Sequence, residues 1–147
     1  MTASVALQQA IRAKLVADRN VLGFFGAEAI FDRTRRPEAV PCIVLGDGHT
    51  LLDRISYDRR VTHEHATIHV WTAGEALVDA KALAGVVVEA LSDGVGETIT
   101  HRIGGTRNET SYRVVCATIT SVRHMRDPSG RLLHAVIAME ALVEGTL

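Results

Sequence analysis

Residues 61–92 read VTHEHATIHVWTAGEALVDAKALAGVVVEALS, and a change of period inside this stretch decides the fold. From Val61 to Thr72 the side chains alternate. Ala66, Ile68 and Val70 point to one side, while His63, His65, Thr67, His69 and Trp71 point to the other, as in a β-strand. From Gly74 to Ser92 the apolar residues fall at helical spacing instead. Leu77, Ala80, Leu83, Ala84, Val87, Val88 and Leu91 form a broad stripe that Asp93-Gly94 ends. A strand followed by such a helix places the helix across the face carrying Ala66, Ile68 and Val70.

The flanking segments extend this pattern. Ser4 to Asp18 reads as an amphipathic helix, with Leu7, Ala10, Ile11 and Leu15 on one stripe and Thr2 or Ser4 as its cap. Val21 to Phe25 is a short apolar patch ending at Gly26, and Ala29-Ile30-Phe31 is a brief strand closed by the charged run Asp32 to Glu38. Pro41 opens PCIVLGDG, whose continuous apolar run suggests a strand buried on both faces. His49 to Arg60 is irregular and charged, as in a long loop or an irregular strand pair, and Gly94 to Ser111 reads as a mobile, polar connection. Tyr112 to Arg126 and Arg131 to Glu144 are strands around Asp127-Pro128-Ser129-Gly130, a turn in which Pro presets one dihedral and Gly permits a positive one. The expected class is therefore α+β: a mainly antiparallel sheet with two helices packed on one face and a C-terminal β-hairpin.

Composition narrows the function classes. A chain of 147 residues suits a single domain, residues 1–147, and with only 4% aromatics its core must be built from Ala, Val, Ile and Leu. Sixteen basic against 17 acidic residues leave a net charge of −1, which argues against a dedicated nucleic-acid binder. No apolar run is long enough for a transmembrane helix, and the first residues, MTASVALQQAIRAKL, do not read as a signal peptide. Cys42 and Cys116, 74 residues apart, each sit in an apolar run and read as buried free thiols ahead of a disulfide, consistent with synthesis in a reducing compartment.

Tests for catalytic chemistry find little. His63, His65 and His69 share a strand face, but His63 and His69 lie ~20 Å apart along a strand rising ~3.3 Å per residue, too far to share one metal ion. The pair His63–His65 remains, without a carboxylate or cysteine cluster near it in sequence, so a polar sheet face is the favoured reading. Gly46-Asp47-Gly48-His49 reads as a turn, since it has neither the Walker Lys-Ser/Thr nor the dinucleotide glycine pattern, and Gly104-Gly105 is a lone glycine pair. Asp47, Asp53 and Asp58 could pair as carboxylates, yet they lie among arginines where ordinary ion pairs explain them. Arg33, Arg35 and Arg36 fall in one charged segment, and Arg54, Arg59 and Arg60 in the next. They read either as a solvated face, as a self-complementary subunit rim, or as cations facing an enclosed duplex.

With these residues in view, the chain resembles the tail-terminator (tail-completion) family of long-tailed phages and gene transfer agents. The stretches carrying the likeness are LQQAIRAKLVADRNVLGFFG, IFDRTRRPEAVPCIVLGDG, HATIHVWTAGEALVDAKALAGVVVEAL and RDPSGRLLHAVIAMEALVE, in that order. Ile99 to Thr118 departs from the family's pattern in being longer and more polar. The resemblance implies a structural virion protein, made in the host cytoplasm, at the head-proximal end of the tail. It would form a ring, usually hexameric, that caps the tail tube, ends polymerisation and offers the head-tail joining surface. Its implied partners are further copies of itself, the major tail tube protein, a head-side connector or stopper, and DNA in transit through the lumen. No membrane, cofactor, metal or catalytic residue is implied, and the six arginines above are the expected interface or lumen residues. The competing readings are another neck component (a head-closure or connector protein) and a metal-dependent enzyme using His63 and His65.

Overall fold

The computed structural model describes residues 2–32, 39–52, 60–74, 76–95, 98–102 and 109–146, with the backbone alone described at 98–102, 109–110 and 146. The chain opens with helix α1 (Ala3–Ala17), whose first turn is capped by the Thr2 hydroxyl accepting from the Val5 amide at 3.5 Å. Ala6, Leu7, Ala10, Ile11 and Leu15 form its buried stripe. Asp18 ends α1 and starts α2 (Arg19–Phe25), its carboxylate accepting from the amides of Asn20 at 2.9 Å and Val21 at 3.0 Å. The apolar patch at Val21 to Phe25 is thus a second helix, buried through Val21 and Phe25. With α3 (Leu77–Leu91), the described helices number three, correcting the expected two.

The described residues also form six strands: β1 (Ile30–Phe31), β2 (Cys42–Leu51), β3 (Val61–Ala73), β4 (Thr98–Arg102), β5 (Glu109–Arg126) and β6 (Leu132–Thr146). They form one sheet in the order β1-β2-β3-β6-β5-β4. The class is α+β, but the sheet is mixed, not mainly antiparallel as expected. β1 runs parallel to β2, because the segment between Phe31 and Cys42 returns the chain to the same end of the sheet instead of folding back through a tight hairpin. The other four pairings are antiparallel. β4 pairs with β5 inside the stretch expected to be an unstructured connection, from Thr98↔Arg113 to Arg102↔Glu109. His49, Thr50 and Leu51 likewise belong to β2, paired with His65, Glu64 and His63, where a loop or irregular pair was expected.

The core lies on the even-numbered face of β3. Ile68 and Val70 are fully buried against Ile137 and Ala135 of β6, with α1, α2 and α3 supplying Leu7, Ile11, Leu15, Val21, Ala84 and Val87 to the same cluster. Cys42, Ile43, Val44 and Leu45 are all buried, as the unbroken apolar run suggests. Arg12 fastens α1 to the β1 region by donating to the carbonyls of Ile30 and Ala27, each at 3.3 Å. In the C-terminal hairpin, the Gly130 amide donates to the Asp127 carbonyl at 2.9 Å and Gly130 takes φ 72°, the conformation that glycine alone adopts freely.

The cysteines part company. Cys42 is buried, while Cys116 is exposed, contrary to expectation. The reason is a bulge in β5: Val114 pairs with Val143 on the buried face, but the register shift before Cys116 turns it toward Leu142 and the open face.

Two outcomes check this packing. Ile137→Ala should cost about 2–5 kcal/mol in a urea titration, because a fully buried side chain leaves a cavity at the sheet centre. Asp18→Ala should cost ~1 kcal/mol in the same titration, since it strips the α2 cap of its acceptor.

Candidate functional site

The candidate residues fall in two places: the charged segments flanking β2, and the sheet face that carries the histidines. Arg33, Arg35, Arg36, Arg54 and Arg59, together with Asp53, Asp58, Gly104 and Gly105, lie outside the described residues. Their anchor points are described. The first segment leaves β1 at Phe31, beside Val44, and re-enters at Cys42. The second joins Leu51 to Val61 at the far end of the β2–β3 pair, roughly 20 Å along the strand from Val44. Arg60 is exposed, and its carbonyl accepts from the Gly145 amide at 2.7 Å, which ties the start of β3 to the end of β6.

Gly46-Asp47-Gly48-His49 is not a turn. It lies within β2, where the register shifts between Leu45 and Gly48. Both glycines are required by close approach: a Cβ on Gly46 would run into the His69 ring and the Thr67 hydroxyl, and one on Gly48 into the His65 carbonyl. The Asp47 carbonyl accepts from the Thr67 hydroxyl at 2.6 Å, so the bulge is fastened to β3.

The odd-numbered face of β3 gathers more histidine than the strand alone supplies. His49 of β2 stacks on His65 with ring centroids 4.2 Å apart. His134 of β6 stacks on Trp71 at 3.9 Å, and its Nε2 lies 2.7 Å from Nδ1 of His69. Four of the histidines on this face therefore form two pairs, His49–His65 and His69–His134, instead of one cluster. His65 Nδ1 is 3.5 Å from Glu140 of β6, and His63, His65, Glu140 and Cys116 line a cavity of about 220 Å³. The sheet register thus brings a carboxylate and a thiol to the His63–His65 pair, which sequence spacing alone did not show. Among the described residues, no three of these groups converge closely enough to hold a metal ion. Burial pushes the Cys42 thiol up to about 11, so it is a neutral core group and not a nucleophile.

Glu64, on the opposite face, is the residue that sequence reasoning passed over. It is 1% exposed and accepts from the hydroxyls of Thr50 and Thr62, both at 2.7 Å. Its position between Ala66 on its own face and Thr62 was the available signal: a carboxylate in the inward phase of an alternating strand. Such a group is costly to bury unless hydrogen-bonded. Thr50→Val should therefore lower stability by about 1–3 kcal/mol in chemical denaturation, more than the same change at the exposed Thr120.

No helix among the described residues is long and apolar enough to cross a membrane. No curated protein matches the chain. Among solved structures, a chain of one described as "Virion of native gene transfer agent (GTA) particle" has a similar fold, with a TM-score of 0.72 and 22% sequence identity, over 99% of this chain and 100% of that one. The family model described as Tail completion protein gp17 matches residues 9–144. The likeness thus spans nearly all of the sheet and helices described above, and the chain belongs to the tail completion protein gp17 family, a family of structural phage-tail proteins and not of enzymes.

Proposed function

We propose that the protein forms a ring, of six copies, that caps the tail tube, ends its polymerisation and presents the surface joined by the head-side connector. The observation that carries this reading is the family match over residues 9–144. The full-length likeness to a chain of a gene transfer agent particle is in keeping with a place in the virion. The partners of such a ring are its own neighbouring copies, the major tail tube protein and the connector or stopper, with DNA passing through the lumen.

Several features of the chain suit this role. β1 and β4 stand at opposite edges of one sheet, so a contact of the β1 edge of one copy with the β4 edge of the next would be heterologous, the kind that closes into a ring when the rotation permits. A net charge of −1 lets identical copies pack side by side without strong mutual repulsion. The mixed-sign segments on either side of β2 supply arginines and carboxylates that can meet across a subunit boundary, where a bidentate Arg–carboxylate contact sets register.

A strain lacking this gene should produce filled heads together with overlong or unattached tails in electron micrographs; normally joined particles would overturn the assignment. Charge reversal at Arg35 and Arg36, or at Arg59 and Arg60, should reduce particle yield while leaving the far-ultraviolet circular dichroism and melting temperature of the purified protein unchanged. Unaltered yield in both variants would reduce these segments to a solvated surface.

A further inference from the structure

The chain of hydrogen bonds that runs from the β2 bulge to β6 has a definite direction. The Thr67 hydroxyl has one proton and donates it to the Asp47 carbonyl at 2.6 Å. Toward His69 Nε2, 3.3 Å away, Thr67 can then only accept, so His69 carries its proton on Nε2. Its Nδ1 is consequently bare and accepts from Nε2–H of His134 at 2.7 Å. The chain therefore fixes the tautomer of both rings, and it links strands far apart in sequence: Asp47 of β2, Thr67 and His69 of β3, and His134 of β6. Packing holds the rings in this arrangement. His69 lies against the bare backbone of Gly46, and His134 stacks on Trp71 with planes 9° apart.

We propose that the His69–His134 contact is a proton-released latch, which clamps the β2 bulge to the central strands and opens when the pair takes up a second proton. A first proton is tolerated, because it enters at Nδ1 of His134 and leaves the Nε2–H to Nδ1 bond in place, now charge-assisted. A second proton has only Nδ1 of His69 to occupy. Two N–H groups then face one another between two cations, and the contact parts. As His69 swings away from Gly46, Thr67 loses its donor, and the support of the Asp47 carbonyl weakens with it.

The surroundings set the acidity at which this happens. Burial lowers His69 below its ordinary 6.5, opposed by Asp47 on β2. Burial and then the His69 charge lower His134 to about 4, opposed by Asp127 in the hairpin turn. Further groups on the packed strands are the buried thiol of Cys42, neutral on β2 opposite Trp71, exposed Arg123 on β5 opposite Val136, His124 opposite Ala135, and, farther along the same face, His65 with Glu140. Both rings thus have folded values below their unfolded ones. The stability they contribute is complete above pH 6.5 and is lost as the pH falls from there toward 4, where the unfolded chain binds the protons first.

The test combines ring titration by nuclear magnetic resonance with amide hydrogen exchange on the purified protein. In the unsubstituted protein, the His69 and His134 rings should titrate below 6.5 in two coupled steps. Protection of the Asp47 and Gly48 amides, corrected for intrinsic exchange, should fall roughly tenfold or more between pH 7 and pH 4. His134→Gln keeps a side chain that can donate to His69 or, turned over, accept from it, so the protection step should vanish. His69→Gln should behave likewise with His134. Independent titration of the two rings near 6.5 overturns the proposal even if neither variant folds. So does an unchanged protection step in both variants.

Discussion

The fold depends on the pairing of β3 with β6. All 13 residues of β3 are matched, from Val61↔Glu144 to Ala73↔Leu132, without a bulge. Because side chains alternate, this register sorts both strands at once. Ile68 with Ile137, Val70 with Ala135 and Ala66 with Met139 face the core, while His69 with Val136, Trp71 with His134 and His65 with Glu140 face the other way. A slip of β6 by one residue would send His134 and Glu140 into the aliphatic core and leave Ile137 and Met139 on the open side. Register is thus specified by burial, and every other element is placed against it. β2 and β5 add to the two outer edges of the pair, and α1 and α3 both contact β3 and β6.

Bulges then adjust what the central pair leaves regular. In β2 the shift between Leu45 and Gly48 uses two glycines because backbone and rings approach where a Cβ would not fit. In β5 there are two shifts, between Val114 and Cys116 and between Ile119 and Ser121. Two single-residue shifts restore the original phase, so the long strand presents Val114 and later Val122 to the same side while the residues between run in the opposite phase. A strand of 18 residues is thereby bent without giving up its pairing to β6.

These devices explain what could be read from the chain and what could not. The alternation of Ala66, Ile68 and Val70, the stripe from Leu77 to Leu91 and the Asp-Pro-Ser-Gly turn each carry their structure locally, in spacing or in turn chemistry. The four buried residues from Cys42 to Leu45 were legible for the same reason. Cys116 was not, because its exposure hangs on one inserted residue in β5 that no local pattern marks. Nor was α2: seven residues with an internal Gly23 give too short a window for helical periodicity, and its start is set by the Asp18 cap. The site was less legible than the fold. Three histidines on β3 were visible as a face, but His49 and His134 join them only through the registers of β2 and β6, and Glu140 and Cys116 only across three strands.

The same register gives the two faces different physical duties. On the inner face, an aliphatic core almost free of aromatic residues must gain its stability from close packing over many small contacts, so truncations there carry a direct cost. On the outer face, half-buried imidazoles and an indole stack on one another above the same backbone, and Glu140, Glu144 and Arg113 carry charge beside them. Arg113 meets Glu144 at 2.6 Å, but both are partly solvated, so the pair adds little to stability. Changes on this face are therefore expected to alter titration, local opening and contact with other copies before they alter the fold. In a family whose members act as parts of a larger particle, that division is useful: the inner face keeps the subunit folded, while the outer face carries the groups whose charge and contacts can change without unfolding it.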